Sequence, residues 1–354
     1  MATIAKAKKK PDDEYYTLYD DIQKELNYYK EHFNNKIVLC NCDDPFESNF
    51  FKFFIMNFNY LNLKCLICTC YKGSPMAFTI FDYLKDDNEE ILKSTNGYVL
   101  DINEVPMENG RGVTGEDIEK LLFSKKYGVK KLRGDGDFKS EECLKYLDIA
   151  DIVVTNPPFS KFKEYLPLLI NYNKKFLVIG DKNQITYEDI FPLFKSNKIW
   201  LGYTRPNKFL LPNGIITDKM NGRPRWFTNL NIKKRDEELI LYKEYNVSEY
   251  PKLENFDAIF VDEIVKIPND YYETMAVPIT FLDKYNPKQF EILGCSSCIS
   301  LFGIERKEPS LEFLQKYKTG KVRTKGNYQN SKPMWIDSEG YANIGYHRIF
   351  IRRK

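Results

Sequence analysis

"DIVVTNPPFS" occupies residues 151–160. Ile152, Val153 and Val154 form a β-branched apolar run, the pattern of a buried strand. The run stops at Asn156, and Pro157, Pro158 and Phe159 follow. Pro157 fixes its own φ and biases Asn156 toward an extended backbone, and Pro158 stiffens the next step. In an open α/β sheet, ligands bind beyond the carboxyl ends of the strands, which is where Asn156 stands. The Asn156 side-chain carbonyl and the Pro157 backbone carbonyl then present two acceptors at fixed spacing, and Phe159 presents an aromatic face. That set suits a planar amine carried on a ring. Such an amine is a poor nucleophile, because its lone pair is delocalised into the ring. Acceptors that draw its protons out of plane localise the lone pair, and alignment with an electrophilic methyl group supplies the rest. No strong base is needed, in keeping with a chain whose only histidines are His32 and His347. On the tetrapeptide alone a plainer reading stands beside this one, in which Asn-Pro-Pro simply closes a strand.

Outward from this strand, strands and helices alternate. "KIVLC" (36–40) and "LKCLICTCY" (63–71) read as strands. Between them Phe50, Phe53, Phe54 and Phe58 recur at helical spacing, with Asp44 before Pro45 as the helix start. Residues 36–71 are therefore a strand–helix–strand unit, which implies a parallel crossover. Residues 14–33 read as a turn leading into a helix, 161–171 as a helix, "KKFLVIG" (174–180) as a strand, and 115–127 as a further helix. The expectation is an α/β fold with a doubly wound, mostly parallel sheet. An inserted hairpin is expected at about 74–112. Residues 1–13 read as a mobile arm, basic and then acidic. The catalytic domain is expected to span 14–230, and a smaller C-terminal region 231–354.

The 354 residues are 43% hydrophobic and carry 25 Tyr and 25 Phe, which excludes a disordered chain. Lys and Arg number 53 against 50 Asp and Glu, so charge must be read locally. Residues 198–235 hold nine Lys/Arg and one acid, Asp218. No signal-peptide pattern and no membrane span is apparent, so a cytoplasmic, nucleoid-associated protein is expected, with its eight cysteines reduced. Cys40, Cys65 and Cys68 fall in strand-like runs, and the Cys295/Cys298 pair has no second hook. They read as small buried residues, and no metal is expected.

The chain resembles the EcoRI-type adenine-specific (N6) DNA methyltransferases. The resemblance is carried by "DDEYYTLYDDIQKEL" (12–26), "IVLCNCDDPFESNFFKFF" (37–54), "RGDGDF" (133–138), "IVVTNPPFS" (152–160) and "WFTNL" (226–230). Weaker similarity continues through "VPITFLDKYNPKQFEILG" (277–294). It implies a class I methyltransferase fold and S-adenosylmethionine as methyl donor. Tyr16 and Thr17 would cradle the methionine end, and Asn41, Cys42, Asp43 and Asp44 would lie where the first strand turns toward the cofactor. Asp137 would accept from the cofactor's adenine amine, with Phe138 on its ring and Asn156 beside the methyl group. Asn156, Pro157, Pro158 and Phe159 would carry the chemistry on a flipped adenine. Trp226 and Phe227 would stand near the target base, with Arg223 and Arg225 on DNA. Two departures from the general methyltransferase pattern stand out. "CNCDDP" has no glycine-rich loop, a feature the EcoRI type shares, and "CTCY" lacks the acid that usually holds the ribose.

The partner so implied is double-stranded DNA, bound by a monomer with a C-terminal target-recognition region. There is room for a cognate restriction endonuclease encoded nearby, with no stable complex required. Two rivals remain. One is an RNA adenine or protein-glutamine methyltransferase, although those tend to place their extra domain before the catalytic one. The other is a catalytically silent DNA-binding protein, against which the intact NPPF and GDF speak.

Overall fold

In the computed structural model the described residues are 16–45, 48–72, 96–107, 130–210, 216–218, 222–324 and 328–354, with Val113 and Ile118. The expected arm at 1–13, most of the expected insertion and most of the helix at 115–127 lie outside them. The chain divides into two compact units. The first is Met1–Lys182 with Gly202–Leu230, and the second is Asn183–Leu201 with Asn231–Lys354. Residues 183–201, read with the catalytic domain, thus group with the C-terminal third.

The strands of the first unit are β1 (Tyr16–Thr17), β2 (Ile37–Cys40), β3 (Cys65–Cys70), β4 (Tyr98–Ile102), β5 (Lys130–Lys131), β6 (Ile152–Thr155) and β7 (Lys175–Asp181). After β8 (Trp200–Leu201), which lies in the second unit, come β9 (Phe209–Leu210), β10 (Ile216–Thr217) and β11 (Pro224–Thr228). The main sheet runs β5-β4-β3-β2-β6-β7-β11. β3, β2, β6 and β7 are parallel, with Val38 beside Ile152 and Val153 beside Phe176. The sheet is mixed rather than mostly parallel, because β4 and β5 on one side and β11 on the other run antiparallel. Residues 98–102 belong to this sheet and not to an insertion. Tyr98, Val99, Leu100 and Ile102 are buried, which a strand paired to the apolar β3 requires.

The sequence path decides where a ligand can sit. From β2 the chain crosses to β3 on one side, and later places β6 on the other side of β2. The order therefore reverses between β2 and β6, the place beyond the carboxyl ends where open α/β sheets take their ligands. The helix after β2 spans Asn49–Met56. It starts later than Asp44 suggested, because Ser48 caps it and accepts from the N–H groups of Phe50 and Phe51. Phe50, Phe53 and Phe54 are buried as their spacing predicts, and Phe51 and Ile55 are buried as well.

Trp226 and Phe227 correct an expectation. Both are 0% exposed in β11. Adjacent strand residues point to opposite faces. Trp226 meets Phe50 edge-on at 5.9 Å, and Phe227 meets Phe162, the first residue of the helix Phe162–Asn171, at 4.8 Å. Helices thus cover both faces of the sheet, and these aromatics are core, with no free face for a base.

The helix expected after a turn within 14–33 is an α-helix over Tyr19–Leu26, continued as a 3-10 segment to Phe33. Its Glu25, fully buried, accepts from Tyr29 Oη at 2.9 Å, Tyr203 N–H at 2.8 Å and Thr204 N–H at 2.6 Å. Gly202 lets the loop approach, since a Cβ there would lie 2.2 Å from a Glu25 oxygen. The loop leads into β9, which pairs antiparallel with β1 and β10.

The second unit holds a four-stranded sheet of order β12-β13-β18-β14, from β12 (Ile259–Phe260), β13 (Met275–Pro278), β14 (Phe290–Cys295) and β18 (Arg348–Arg353). A smaller sheet joins β15 (Val322–Thr324), β16 (Met334–Ile336) and β17 (Ala342–Ile344) in the order β15-β17-β16. It packs through Phe313 of the helix Leu311–Lys318. Among the described residues no helix is long and apolar enough to cross a membrane.

Candidate active site

Three loops meet beyond the carboxyl ends of the parallel strands. The first follows β2. Asn41, Asp43 and Asp44 are buried there, and Cys42 is partly exposed. The third follows β6 and carries Asn156, Pro157, Pro158 and Phe159. The two are tied through Asp43. Its Oδ1 accepts from Ser48 Oγ at 2.8 Å, its Oδ2 accepts from Thr155 Oγ1, and the Asn156 backbone N–H also donates to it. Tyr165, on the helix behind NPPF, donates its hydroxyl to Asn41 Oδ1. Asn156 and Phe159 are half-buried at the rim, and Phe159 opens a 3-10 turn closed by Lys161 N–H on Pro158 O at 2.9 Å.

The second loop is built on the end of β3. Gly97 N–H donates to Gly134 O at 2.9 Å, and Lys72 N–H to Asp135 O at 2.7 Å. Gly136 has φ +78°, and a Cβ on it would lie 2.2 Å from Cys70 O. Only glycine admits that approach, which explains the small residue inside "RGDGDF". The loop places Phe138 edge-on against Tyr165 at 5.0 Å, and half-buried Asp137 accepts from Lys139 N–H at 2.8 Å. Thr17 joins from β1, where its carbonyl accepts from Asn49 Nδ2 at 2.8 Å.

The DNA candidates behave differently. Arg225 is buried, and its Nη1 donates to Gly222 O at 2.5 Å and Pro224 O at 2.8 Å. That guanidinium is spent on the chain's own carbonyls, so Arg225 is no phosphate contact. Arg223, on the surface, pairs with the buried Asp181. Arg235 lies over the Trp200 ring at 4.0 Å and donates to Asn197. Ser48, Thr155 and Tyr165 escaped the sequence reading. For Thr155 a signal was present, a hydroxyl ending an otherwise apolar strand just before Asn156.

Burial pushes the Asp43 carboxyl up from 3.8 to about 6, against the downward pull of Thr155, Ser48 and the Asn156 N–H; Asp44 adds to the rise. Burial likewise drives the Cys42 thiol and Tyr165 phenol well up. The fold thus favours protonated Asp43 more than the unfolded chain does. Its contribution to stability is complete below pH 3.8 and is lost as pH rises through about 6. A shift of this size corresponds to about 3 kcal/mol. Denaturant unfolding followed from pH 4 to 7.5 should show this decline in the native protein and a flatter profile in Asp43→Asn. Parallel profiles would refute it.

Residues 3–354 match the family model described as "Adenine-specific methyltransferase EcoRI". The Type II methyltransferase M.EcoRI of Escherichia coli is 42% identical over 335 residues, 87% of this chain and 92% of that protein. The Type II methyltransferase M.MgeORF184P of Mycoplasma genitalium is 37% identical, covering 83% and 86%. M.MpnI of Mycoplasma pneumoniae, also a Type II methyltransferase, is 34% identical with the same coverage. No solved structure matches. A family model spanning nearly the whole chain, with relatives at this identity along most of their length, shows that the chain belongs to the EcoRI family of adenine-specific methyltransferases.

Proposed function

We propose that this protein transfers a methyl group from S-adenosylmethionine to N6 of adenine in a specific duplex DNA sequence, with the target base flipped into the NPPF site. The observation that carries the reading is Asn156, half-buried at the end of β6 where the strand order reverses. The parallel core with helices on both faces supports a doubly wound, class I methyltransferase fold.

The crevice fits a polar cofactor. Asn41 Nδ2 and Thr17 Oγ1 are buried with no hydrogen-bond partner among the described residues, which is costly unless a ligand supplies one. Tyr16, Thr17, Asn41, Cys42, Asp44, Asp137, Phe138 and Asn156 are the residues that would hold it. S-adenosylmethionine, when bound, supplies the electrophilic methyl group. Asn156 Oδ1 and the Pro157 carbonyl accept from the target amine and localise its lone pair. Phe159 stacks on the extruded base, and Pro157 and Pro158 keep these groups in register. The amine proton is lost to solvent after transfer, so no buried base is called for.

The family and the Type II designation of the relatives favour a restriction–modification setting in the cytoplasm, with the second unit reading the sequence. With Arg223, Arg225 and Arg235 engaged internally, phosphate contacts within 198–235 fall to its other six basic residues, of which Lys219 lies outside the described residues. Six phosphate contacts would give a log–log salt slope near about −5. The test is methylation of duplex DNA with the product identified by mass spectrometry, alongside binding across a salt series. N6-methyladenine and a steep slope are expected. Methylcytosine, or a flat salt response, would overturn the reading.

A further inference from the structure

We propose that Asp43 is a positioning residue for the methyl-transfer site, holding Asn156 through its backbone rather than contacting the cofactor. The inference rests on the reading of Asn156 as the acceptor for the target amine. Asp43 belongs to the loop after β2, where a polar side chain would naturally be assigned to the cofactor. Its geometry points elsewhere. One oxygen takes the Ser48 hydroxyl, the other takes the Thr155 hydroxyl, and the Asn156 N–H donates to the same carboxylate. All three donors belong to the protein, and Asp43 is 8% exposed.

The three donors come from different parts of the site. Ser48 caps the helix of the first crossover, accepting from Phe50 N–H at 3.1 Å and Phe51 N–H at 3.4 Å. Thr155 ends β6, and Asn156 begins NPPF. Asp43 therefore fastens the helix cap, the strand end and the catalytic asparagine to one point. Pro157 confines Asn156 toward an extended backbone, but it leaves the height of that peptide above the sheet open. The Thr155 hydroxyl, bonded to Asp43 one residue before Asn156, fixes that height together with the Asn156 N–H. An asparagine whose peptide drifts by about an ångström loses in-line alignment, a misplacement that can cost about 10²-fold in rate. Cofactor affinity depends on other side chains and is spared.

The experiment compares Asp43→Ala, Asp43→Asn and Thr155→Val in the full-length protein. It measures the single-turnover methylation rate on duplex DNA and, separately, the dissociation constant of S-adenosylmethionine. Asp43→Ala should lower the rate by about 100-fold, with cofactor affinity changed by less than about threefold, roughly 0.7 kcal/mol. Asp43→Asn keeps an acceptor for the Asn156 N–H and should recover most of the lost rate. Thr155→Val, which removes one of the fastening hydroxyls, should fall between. If Asp43→Ala does not fold, the same split read on Thr155→Val and Asp43→Asn decides. A cofactor affinity weakened tenfold or more with the rate retained would make Asp43 a cofactor contact and overturn the proposal. Native protein that forms no N6-methyladenine would instead overturn the underlying reading of Asn156. The two failures are therefore distinguishable.

Discussion

Asn156→Ala should reduce methyl transfer to duplex DNA by at least about 10³-fold, the upper end of what removal of one preorganised polar contact costs. S-adenosylmethionine affinity should stay within about threefold, because Thr17 and Asn41 keep their buried donors. The reason is that the reacting amine becomes nucleophilic only when its lone pair is localised, and Asn156 supplies the acceptor that does it. Asn156→Asp is a sharper probe. It keeps shape and acceptor, but a carboxylate half-buried beside the buried Asp43 carries a desolvation cost. Residual activity with an altered pH dependence is the expected result. Phe159→Ala should act on capture of the flipped base, by about 1–3 kcal/mol, and be partly relieved when the target adenine is mispaired. Full N6-methyladenine formation by Asn156→Ala, read by mass spectrometry, would remove the mechanism.

Glu25→Ala should be strongly destabilising, costing about 3–5 kcal/mol through three donors left without their acceptor. The carboxylate is 0% exposed and accepts from three donors. Alanine leaves two part-buried backbone N–H groups and the buried Tyr29 phenol without their acceptor, each costing up to about 1–3 kcal/mol less any relaxation. A melting point lower by about 10 °C follows for a unit of this size. Glu25→Gln should cost less, since one oxygen still accepts, although its amide now faces a backbone N–H. The effect should reach the site. The loop held by Glu25 runs into β9, whose Phe209 and Leu210 register β1, so S-adenosylmethionine binding should weaken in the alanine variant. An unchanged melting point would show that the loop finds water instead.

The buried parallel strands were legible because each is a short apolar run between polar residues, and the observed bounds of β2, β3, β6 and β7 differ from the sequence reading by about a residue or two, the usual uncertainty at element ends. Strand order was not legible. β4 and β11 pair antiparallel with β3 and β7, and nothing local to "GYVLDI" or "PRWFT" names its neighbour. Only the family resemblance carried by "WFTNL" places Trp226 and Phe227 near the target base, and the helices on both faces make them core. The placement of Asn156 just beyond β6 was legible, because the tetrapeptide closes a local apolar run. Glu25 was not, since a glutamate in a charged helix reads as solvated, while its backbone partners lie 178 and 179 residues away.

The division of the chain into interleaved units has a consequence for its synthesis. The piece Asn183–Leu201 emerges from the ribosome before β11 completes the main sheet, yet it belongs with residues after Leu230. Phe191, Phe194 and Ile199 of that piece are buried in the finished protein, Phe191 against Phe302 at 5.5 Å, and Lys195 donates to the carbonyls of Ile292 and Leu293. Until residues 292–302 are made, the partners of Phe191 and Lys195 are missing. A nascent chain from which residue 230 has just cleared the ribosome would therefore display a finished first unit with a greasy loop hanging from it, a ready target for a chaperone that grips apolar segments.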